Sequence, residues 1–326
     1  MQRNTVIDSA SLRFRCQLRL AGVLCEVAAN SDVVAHGLRR WRVDEGALAT
    51  PSLSMHIVVA DRATAGSRTP HFRGLKHIVV ASFGTENVFT FDLLRRSVSA
   101  AISAELAADA EFWNRTLLPV AMGVLGPAAG VVPTHSACLA VDGSGLLIAG
   151  PSGAGKSTLA VALAQAGFDF LSDDWTYLAL NRGQLAAHGM SVPAKLLPDA
   201  AGHFDFLRNY APTLTLNQEL AYDLPMQDLG RLVLLTCELR WFFLLKRTPE
   251  THCRIAPISA GKARSYIENG VEPLPVELQE VTRTRSYIVR HVSQLSCWEL
   301  TYGGPPQVAV EGLHEFFSMQ REDVLV

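Results

Sequence analysis

The chain has 326 residues, of which 48% are hydrophobic and 18% charged, and its formal net charge is −2. The apolar fraction is ample for a packed core, which excludes a disordered chain. The near-zero net charge argues against binding to nucleic acid or to an anionic membrane through bulk electrostatics. This length exceeds that of most single domains, so we expect one large domain and a smaller one.

Cysteine usage and apolar patterning favour a cytoplasmic protein. The six cysteines form no Cys-x-x-Cys pair, and the N-terminal residues lack the apolar run of a secretory signal. We therefore expect reduced cysteines in a core. The most apolar stretch, Leu117–Val132, contains two prolines and is too short to span a bilayer, so it predicts a buried helix and a loop.

The first part of the chain has the pattern of a β-rich region. Apolar residues alternate with cations or follow in short β-branched runs, which predicts strands at Leu12–Leu20, Ser54–Val59, His77–Val80 and Asn87–Phe91. From about Leu93 the pattern changes to that of helix. We place the domain boundary between residues 95 and 130, and assign residues 1–115 to a β-rich domain and residues 116–326 to an α/β domain.

Two predicted hairpins flank a glycine-rich segment in the second part. Ser136–Val141 and Leu146–Ala149 surround Asp-Gly-Ser-Gly, and the second of these strands leads directly into GPSGAGKST. A helix follows and ends near Gly167. The next expected elements are a strand at Phe168–Leu171, which stops at Ser-Asp-Asp, and a hairpin of Trp175–Leu180 with Leu185–His188.

The remaining chain alternates irregular and regular segments. Residues 190–230 are rich in Pro, Asp and Asn, which predicts a long loop with short helices. Ser259 is a predicted helix N-cap, with Gly270 closing that helix. Further elements are expected as a strand at Arg240–Lys246, a helix at Pro275–Gln294, a strand at Trp298–Tyr302 and a helix at Val310–Phe317.

The glycine-rich segment fits G-x-x-x-x-G-K-[ST] in full. Its members are Gly150, Pro151, Ser152, Gly153, Ala154, Gly155, Lys156 and Ser157, followed by Thr158. A loop wrapped around a phosphate needs small residues and positive φ angles, which the glycines supply. Lys156 is expected to reach the β- and γ-phosphates of ATP, and the Ser157 hydroxyl suits Mg²⁺.

Two adjacent carboxylates follow the next predicted strand. Asp173 and Asp174 lie at its carboxyl end, where ligands bind in α/β sheets. Such a pair can divide two tasks, one carboxylate holding Mg²⁺ and the other accepting a proton from an attacking hydroxyl. A turn or helix cap is the alternative role for either residue. His135, judged alone, is expected to be structural or a solvated loop residue.

The order His-Ser-Ala, LAVDGSGLLIAGPSGAGKST and LAQAGFDFLSDD over residues 133–180 resembles the C-terminal kinase domain of the HPr kinase/phosphorylase family. The resemblance implies the α/β P-loop domain that this family shares with ATP-dependent phosphoenolpyruvate carboxykinases, and transfer of a γ-phosphoryl group to a serine hydroxyl. It implies that Lys156 is the catalytic lysine, Ser157 a magnesium ligand, Asp173 the general base, Asp174 the metal partner and His135 an active-site histidine.

The acceptor stays open at this point. Thr158 stands where the HPr-specific enzymes carry Glu, and the sequence has no Leu-Glu-x-Arg-Gly segment. The acceptor is therefore a hydroxyl of a protein, a peptide or a small molecule, and a homo-oligomer is compatible with the sequence. Alternatives are a carboxykinase-like enzyme and a non-catalytic ATP-dependent switch. Candidates to complete the site are Lys195, Arg208, Glu219, Arg231 and Lys246, with Lys195 first.

Overall fold

Two β-sheets of eight strands each organise the chain. The computed structural model describes residues 12–43, 50–60, 69–215, 219–229, 232–271, 274 and 276–322. By internal contacts the chain divides into Met1–Val131 with Pro273–Arg285, and Val132–Glu272 with Ser286–Val326. Residues 116–131 group with the first unit in this division.

The first unit is a mixed sheet with short helices. Its strands are β1 Phe14–Leu20, β2 Val23–Ala29, β3 Arg42–Val43, β4 Leu53–Ala60, β5 His71–Leu75, β6 Ile78–Phe83, β7 Asn87–Asp92 and β8 Ser97–Ser103. They lie in the order β3-β1-β2-β4-β8-β7-β6-β5, with β4 parallel to β2 and β8. The helices are α1 Val34–Leu38, α2 Ala104–Ala108, α3 Ala110–Phe112 and α4 Leu118–Leu125, the last preceded by a π-helical turn at Trp113–Leu117.

One predicted helix is wrong at its start. Residues from about Leu93 were expected to be helical, but Ser97–Ser103 is strand β8, paired with both β4 and β7. Val98, Ala100 and Ile102 are buried while Ser97 and Ser99 are not, which is the alternation of a strand. The Ala- and Ser-rich composition hides this alternation, and pairing with two neighbours outweighs helix propensity.

The second unit carries the glycine-rich segment. Its strands are β9 Val132–Val141, β10 Ser144–Ala149, β11 Asp169–Ser172, β12 Trp175–Asn181, β13 Gln184–His188, β14 Ala194–Leu196, β15 Thr213–Leu214, β16 Leu220–Leu224, β17 Thr236–Arg247, β18 Cys253–Pro257 and β19 Ser296–Tyr302. The remaining helices of the chain are α5 Lys156–Gln165, α6 Ala260–Asn269, α7 Gln279–Arg290 and α8 Pro306–Glu322. Both predicted hairpins, β9–β10 and β12–β13, are confirmed.

Five strands of the second sheet form a closed circuit. β10 pairs with β9 and in parallel with β17, and the path continues from β9 through β12 and β13 back to β17. Alternate residues of these strands enter two cores. Leu139, Leu146 and Phe243 pack with α5 and α8, whereas Leu147 and Phe242 pack with α6 and the end of α7. Strand β10, which precedes the glycine-rich loop, is therefore held on both edges and both faces.

Two further expectations change in extent. The segment 190–230, expected to be loop with short helices, also holds the three-stranded sheet β14-β16-β15. The helix expected over Pro275–Gln294 is α-helical only at Gln279–Arg290, with 3-10 turns at Val276–Leu278 and His291–Gln294, and Pro275 lies outside the described residues. Short strands and 3-10 turns lack the periodicity by which sequence patterns reveal longer elements.

The apolar stretch and the cysteines behave as expected. Leu118–Leu125 is a helix with four buried residues, followed by a 3-10 turn. The six cysteines are free thiols; five are buried and Cys253 is partly exposed. Within the described ranges, no helix is both long and apolar enough to cross a bilayer.

Aromatic packing of α8 makes a stability prediction. Phe317 is 5% exposed, and its ring lies 4.8 Å from that of Trp241 and 6.2 Å from that of Phe243. Phe317→Ala leaves a cavity and should destabilise the second unit by about 3–5 kcal/mol. Met319→Ala, at an exposed site on the same helix, should change stability by less than ~0.5 kcal/mol. Urea unfolding followed by near-UV circular dichroism measures both, and equal losses would contradict the packing.

Candidate active site

The glycine-rich loop, residues 150–155, connects the end of β10 to the start of α5. Gly153 and Gly155 have φ angles of +76° and +86°, a region that other residues rarely adopt. Gly150 matters for a different reason, because a Cβ there would lie only 3.0 Å from the Leu245 carbonyl oxygen, a tight contact. The sequence thus folds locally into a strand, a tight loop and a helix N-terminus, which is the geometry of an anion-binding loop.

Lys156 folds back over this loop. Its Nζ donates hydrogen bonds to the carbonyl oxygens of Gly150, at 2.9 Å, and Pro151, at 3.2 Å. Only 6% of the residue is exposed, and burial lowers the pKa of its ammonium group while the nearby Asp174 carboxylate opposes that shift. The ammonium group is therefore held at the mouth of the loop by neutral acceptors, with a carboxylate close by.

A break in strand pairing creates the position of the two aspartates. β11 pairs with β9 as far as Ser172 opposite Cys138, and β12 resumes at Trp175 opposite His135. Between them, Asp173 and Asp174 form a bend outside the ladder. Such irregularities redirect side chains out of the sheet plane, which explains how two consecutive residues both reach the site.

Asp173 is a buried residue that accepts hydrogen bonds. It is 2% exposed, and its Oδ2 accepts the Lys195 backbone N–H at 2.9 Å. The Ser157 hydroxyl donates to the Asp173 carbonyl oxygen at 3.5 Å. Burial, with the neighbouring Asp174 charge, raises the pKa of Asp173 to about 7, although hydrogen bonds from Lys195 and Ser157 act in the opposite direction. A carboxylate with this pKa can accept and release a proton near neutrality.

Asp174 lies on the solvent side of the bend. Its Oδ1 is 2.8 Å from Nδ1 of His135, and the two side chains are 39% and 46% exposed. The His135 ring also contacts the Trp175 ring edge-to-face, with centroids 5.9 Å apart. Trp175 itself is 47% exposed. His135 therefore lies on strand β9 beside Asp174, exposed to solvent but not in a loop.

The oxygen donors at this position fit a magnesium ion that binds together with a nucleotide. Ser157 supplies a hydroxyl and Asp174 an accessible carboxylate, both hard ligands of the kind that Mg²⁺ prefers. Among the described residues no group of three or more His, Cys, Asp or Glu is arranged to hold a metal. Mg²⁺ commonly takes one or two carboxylates together with substrate phosphates and water, and this donor set is compatible with that mode.

A groove of about 470 Å³ lies beside the glycine-rich loop, at the carboxyl ends of β10 and β17. It is lined by Pro151, Ser152, Gly153, Ala154, Leu244, Leu245, Lys246, Arg247, Tyr266 and Glu299. In α/β sheets ligands bind at this end of parallel strands. The groove is large enough for a nucleoside-sized ligand.

Arg247 is a groove residue that the sequence analysis missed. Its guanidinium lies 4.1 Å from the Tyr302 ring centroid and donates to the Gly304 carbonyl oxygen at 2.9 Å. No ion pair joins Arg247 to a carboxylate of the described residues. The stack and the hydrogen bond fix the orientation of an exposed cation beside the loop. No sequence motif marks Arg247. The only sequence signal is the Lys-Arg pair at the carboxyl end of strand β17.

The other candidate cations lie in different places and have different partners. Lys195 pairs with Glu219 at 3.6 Å, and Arg208 pairs with Asp205 at 3.0 Å on an exposed 3-10 turn. Lys246 lines the groove beside the loop. Arg231 lies outside the described residues. The Lys195 backbone, rather than its ammonium group, contacts the site.

No protein-family profile matches the sequence, and no curated protein matches it. Among solved structures the chain is similar to the HPr(Ser) kinase/phosphatase from Coxiella burnetii, with 15% sequence identity and a TM-score of 0.28. The match covers 59% of this chain and 94% of that chain. What the site can do therefore depends on its own contacts, burial and charge.

The raised pKa of Asp173 predicts a pH-dependent stability. The folded state holds this proton more tightly than the unfolded state, so wild-type stability should fall as pH rises from about 4 to about 7. Asp173→Asn removes the free-energy cost of ionising this buried carboxyl group. Its stability relative to wild type should therefore be higher by a few kcal/mol, on the order of 4, at pH 8 than at pH 4. Asp169→Asn, at the start of the preceding strand β11, is the control.

Urea unfolding of the three proteins at both pH values measures this difference. A stability difference between Asp173→Asn and wild type that stays constant from pH 4 to pH 8 would show that the carboxylate is not penalised by burial. The same pH dependence in Asp169→Asn would assign the effect to removal of any aspartate from this part of the chain.

Proposed function

We propose that the protein is an ATP-dependent phosphotransferase that moves the γ-phosphoryl group to a hydroxyl. The observation that carries this proposal is the position of the buried Asp173 carboxylate beside the Lys156 and Ser157 end of the glycine-rich loop, where burial also raises its pKa to about 7. Simple nucleotide binding requires no group that exchanges protons near neutrality, whereas transfer to a hydroxyl does. The fold we propose is the P-loop kinase domain of the HPr kinase and phosphoenolpyruvate carboxykinase type.

ATP would lie across the loop. The α5 N-terminus and Lys156 would hold the β- and γ-phosphates, in place of the neutral carbonyl oxygens that Lys156 now contacts. The groove on the β17 side would take the nucleoside, with Lys246 and Arg247 close enough to offset phosphate charge. This orientation directs the γ-phosphate toward the aspartates, because they follow β11, on the far side of β9 from the groove.

Ser157 and Asp174 would hold Mg²⁺, which when bound neutralises charge on the β- and γ-phosphates. His135 contacts Asp174 through Nδ1 and thereby fixes the direction of that carboxylate. Asp173 would accept the proton of the acceptor hydroxyl as its oxygen bonds to the γ-phosphorus, and the bond from that phosphorus to the bridging oxygen breaks. The products are the phosphorylated acceptor and ADP.

The acceptor side of the site is open, with His135, Asp174 and Trp175 all partly exposed. A serine of a protein or peptide and a small hydroxyl compound are both proposed acceptors. Nucleic acid and membranes are not among the proposed partners, and a homo-oligomer is compatible with the proposal. Mass spectrometry of a mixture of peptides and metabolites, before and after incubation with Mg·ATP, would identify the acceptor by the mass of one added phosphoryl group.

Lys156→Ala tests the loop. The substitution removes the charge opposite the β- and γ-phosphates but leaves the backbone cradle, so turnover should fall by about 10²–10³ while the thermal midpoint changes little. Arg95→Ala, at an exposed cation of the first unit, is the control for loss of a surface charge. Unchanged nucleotide affinity and turnover in Lys156→Ala would contradict nucleotide binding at this loop.

Asp173→Asn and Asp174→Asn separate a kinase from a switch. Asn at 173 keeps shape but accepts no proton, so phosphoryl transfer should fall by about 10²–10⁴ at every magnesium concentration, with ATP binding retained. Asn at 174 removes a charged oxygen ligand, so its defect should be rescued by added Mg²⁺. Phosphoryl transfer is measured against magnesium concentration for both variants.

The reverse pattern, with rescue only in Asp173→Asn, would exchange the roles of the two carboxylates. Full activity of both variants would show that the two aspartates only cap the bend. ATP binding without transfer by the wild-type protein to any acceptor in the mixture would favour the non-catalytic switch.

A further inference from the structure

Four buried hydroxyl groups lie directly behind the aspartate bend and take no part in the proposed chemistry. Thr134 and Ser136 belong to β9, while Ser172 ends β11 and Thr176 follows the first residue of β12. Each is at most 5% exposed. They surround the stretch where β9 has no ladder partner opposite Asp173 and Asp174.

The direction of each hydrogen bond follows from the number of protons. Thr176 Oγ1 donates its one proton to the Ser136 carbonyl oxygen at 2.7 Å, so Ser172 Oγ must be the donor in the 2.6 Å contact with Thr176 Oγ1. Thr134 Oγ1 likewise donates to the Thr176 carbonyl oxygen at 3.0 Å, so Ser136 Oγ donates to Thr134 at 2.7 Å. Every hydroxyl proton is used, and both chains end on a backbone carbonyl of the opposite strand.

We propose that this hydroxyl clamp, residues 134, 136, 172 and 176, holds the interrupted ladder open and so positions the aspartate pair. Side-chain hydrogen bonds replace the backbone bonds that the bend omits, because buried polar groups of both strands would otherwise lack partners. Thr176 is its central member, since its side chain joins Ser172 to Ser136 and its carbonyl oxygen receives Thr134.

The consequence for the site is geometric. The Ser172–Thr176 bond spans the base of the bend, and from that bend Asp173 reaches the Lys195 N–H while Asp174 reaches His135. If the clamp is lost, the ladder can rejoin across the gap and both carboxylates move. Thr176 is thus a positioning residue that acts through Asp173 and Asp174. This functional part rests on the proposed phosphotransfer.

Thr176→Val removes the hydroxyl and keeps the shape, whereas Thr176→Ser restores the hydroxyl. Thr116→Val, at a buried threonine of the first unit, is the control for loss of a threonine hydroxyl in a core. Two measurements are made on the full chain. Hydrogen–deuterium exchange of the peptide containing the Lys195 amide reports the bend, and steady-state kinetics with Mg·ATP report kcat and the KM for ATP.

In Thr176→Val the Lys195 amide should exchange faster. The kcat of this variant should fall by about 10-fold or more, with the KM for ATP changed less than ~2-fold, because small displacements of reacting groups are costly. Thr176→Ser should restore both. Unchanged Lys195 exchange in Thr176→Val would overturn the clamp, as would kinetics equal to those of Thr116→Val or a failure of Thr176→Ser to restore kcat.

Two further outcomes are separable. If Thr176→Val does not fold, Ser172→Ala removes one link of the clamp and is judged by the same exchange and kinetic criteria. If the wild-type protein transfers no phosphoryl group, the proposed function fails. The clamp itself is then supported by faster Lys195 exchange in Thr176→Val and its recovery in Thr176→Ser, and overturned by unchanged exchange.

Discussion

The burial of one carboxylate at a gap in a β-ladder is the constraint on which the site depends. Asp173 is removed from water, yet it stays within reach of a backbone N–H and of the Ser157 hydroxyl. Removing a charged group from water is costly unless its surroundings compensate, and two hydrogen bonds compensate only in part. The result is a buried group that holds a proton near neutrality, placed where strand pairing is interrupted.

The charged groups around this carboxylate differ in sign and in exposure to solvent. Lys156 is buried on the loop side, and Asp174 is partly exposed on the solvent side. The charge of Asp174 raises the pKa of both Lys156 and Asp173, against the effect of burial in the first case and with it in the second. An arriving polyphosphate would meet the lysine and the helix N-terminus first, while the second carboxylate stays accessible for a cation. The groove adds Lys246 and Arg247 on the opposite side of the loop, so positive charge brackets the glycines.

Local signals in the sequence predicted the elements that carry the site, but not their neighbours. Asp142-Gly143 and Arg182-Gly183 adopt positive φ at both turn positions, and such turns are recognisable from composition alone. The glycine-rich loop and the Ser259 cap are equally local. Strand β8, the small sheet around β14, and Arg247 depend on partners distant in the chain, so no window of sequence contains the information. The contact of His135 with Asp174 required both strands to pair with correct register, which a resemblance could suggest and composition could not.

The closed circuit of β9, β10, β17, β13 and β12 has a mechanical consequence. A strand at an open edge can shift or fray, but β10 has backbone partners along both sides and its end is the anchor of the glycine-rich loop. The loop therefore stands on a stiff base whose position is set before any ligand arrives. The three short strands around β14, next to the Lys195 N–H, lie outside this circuit, so under the proposed function adjustment to different acceptors would fall to the Lys195 side.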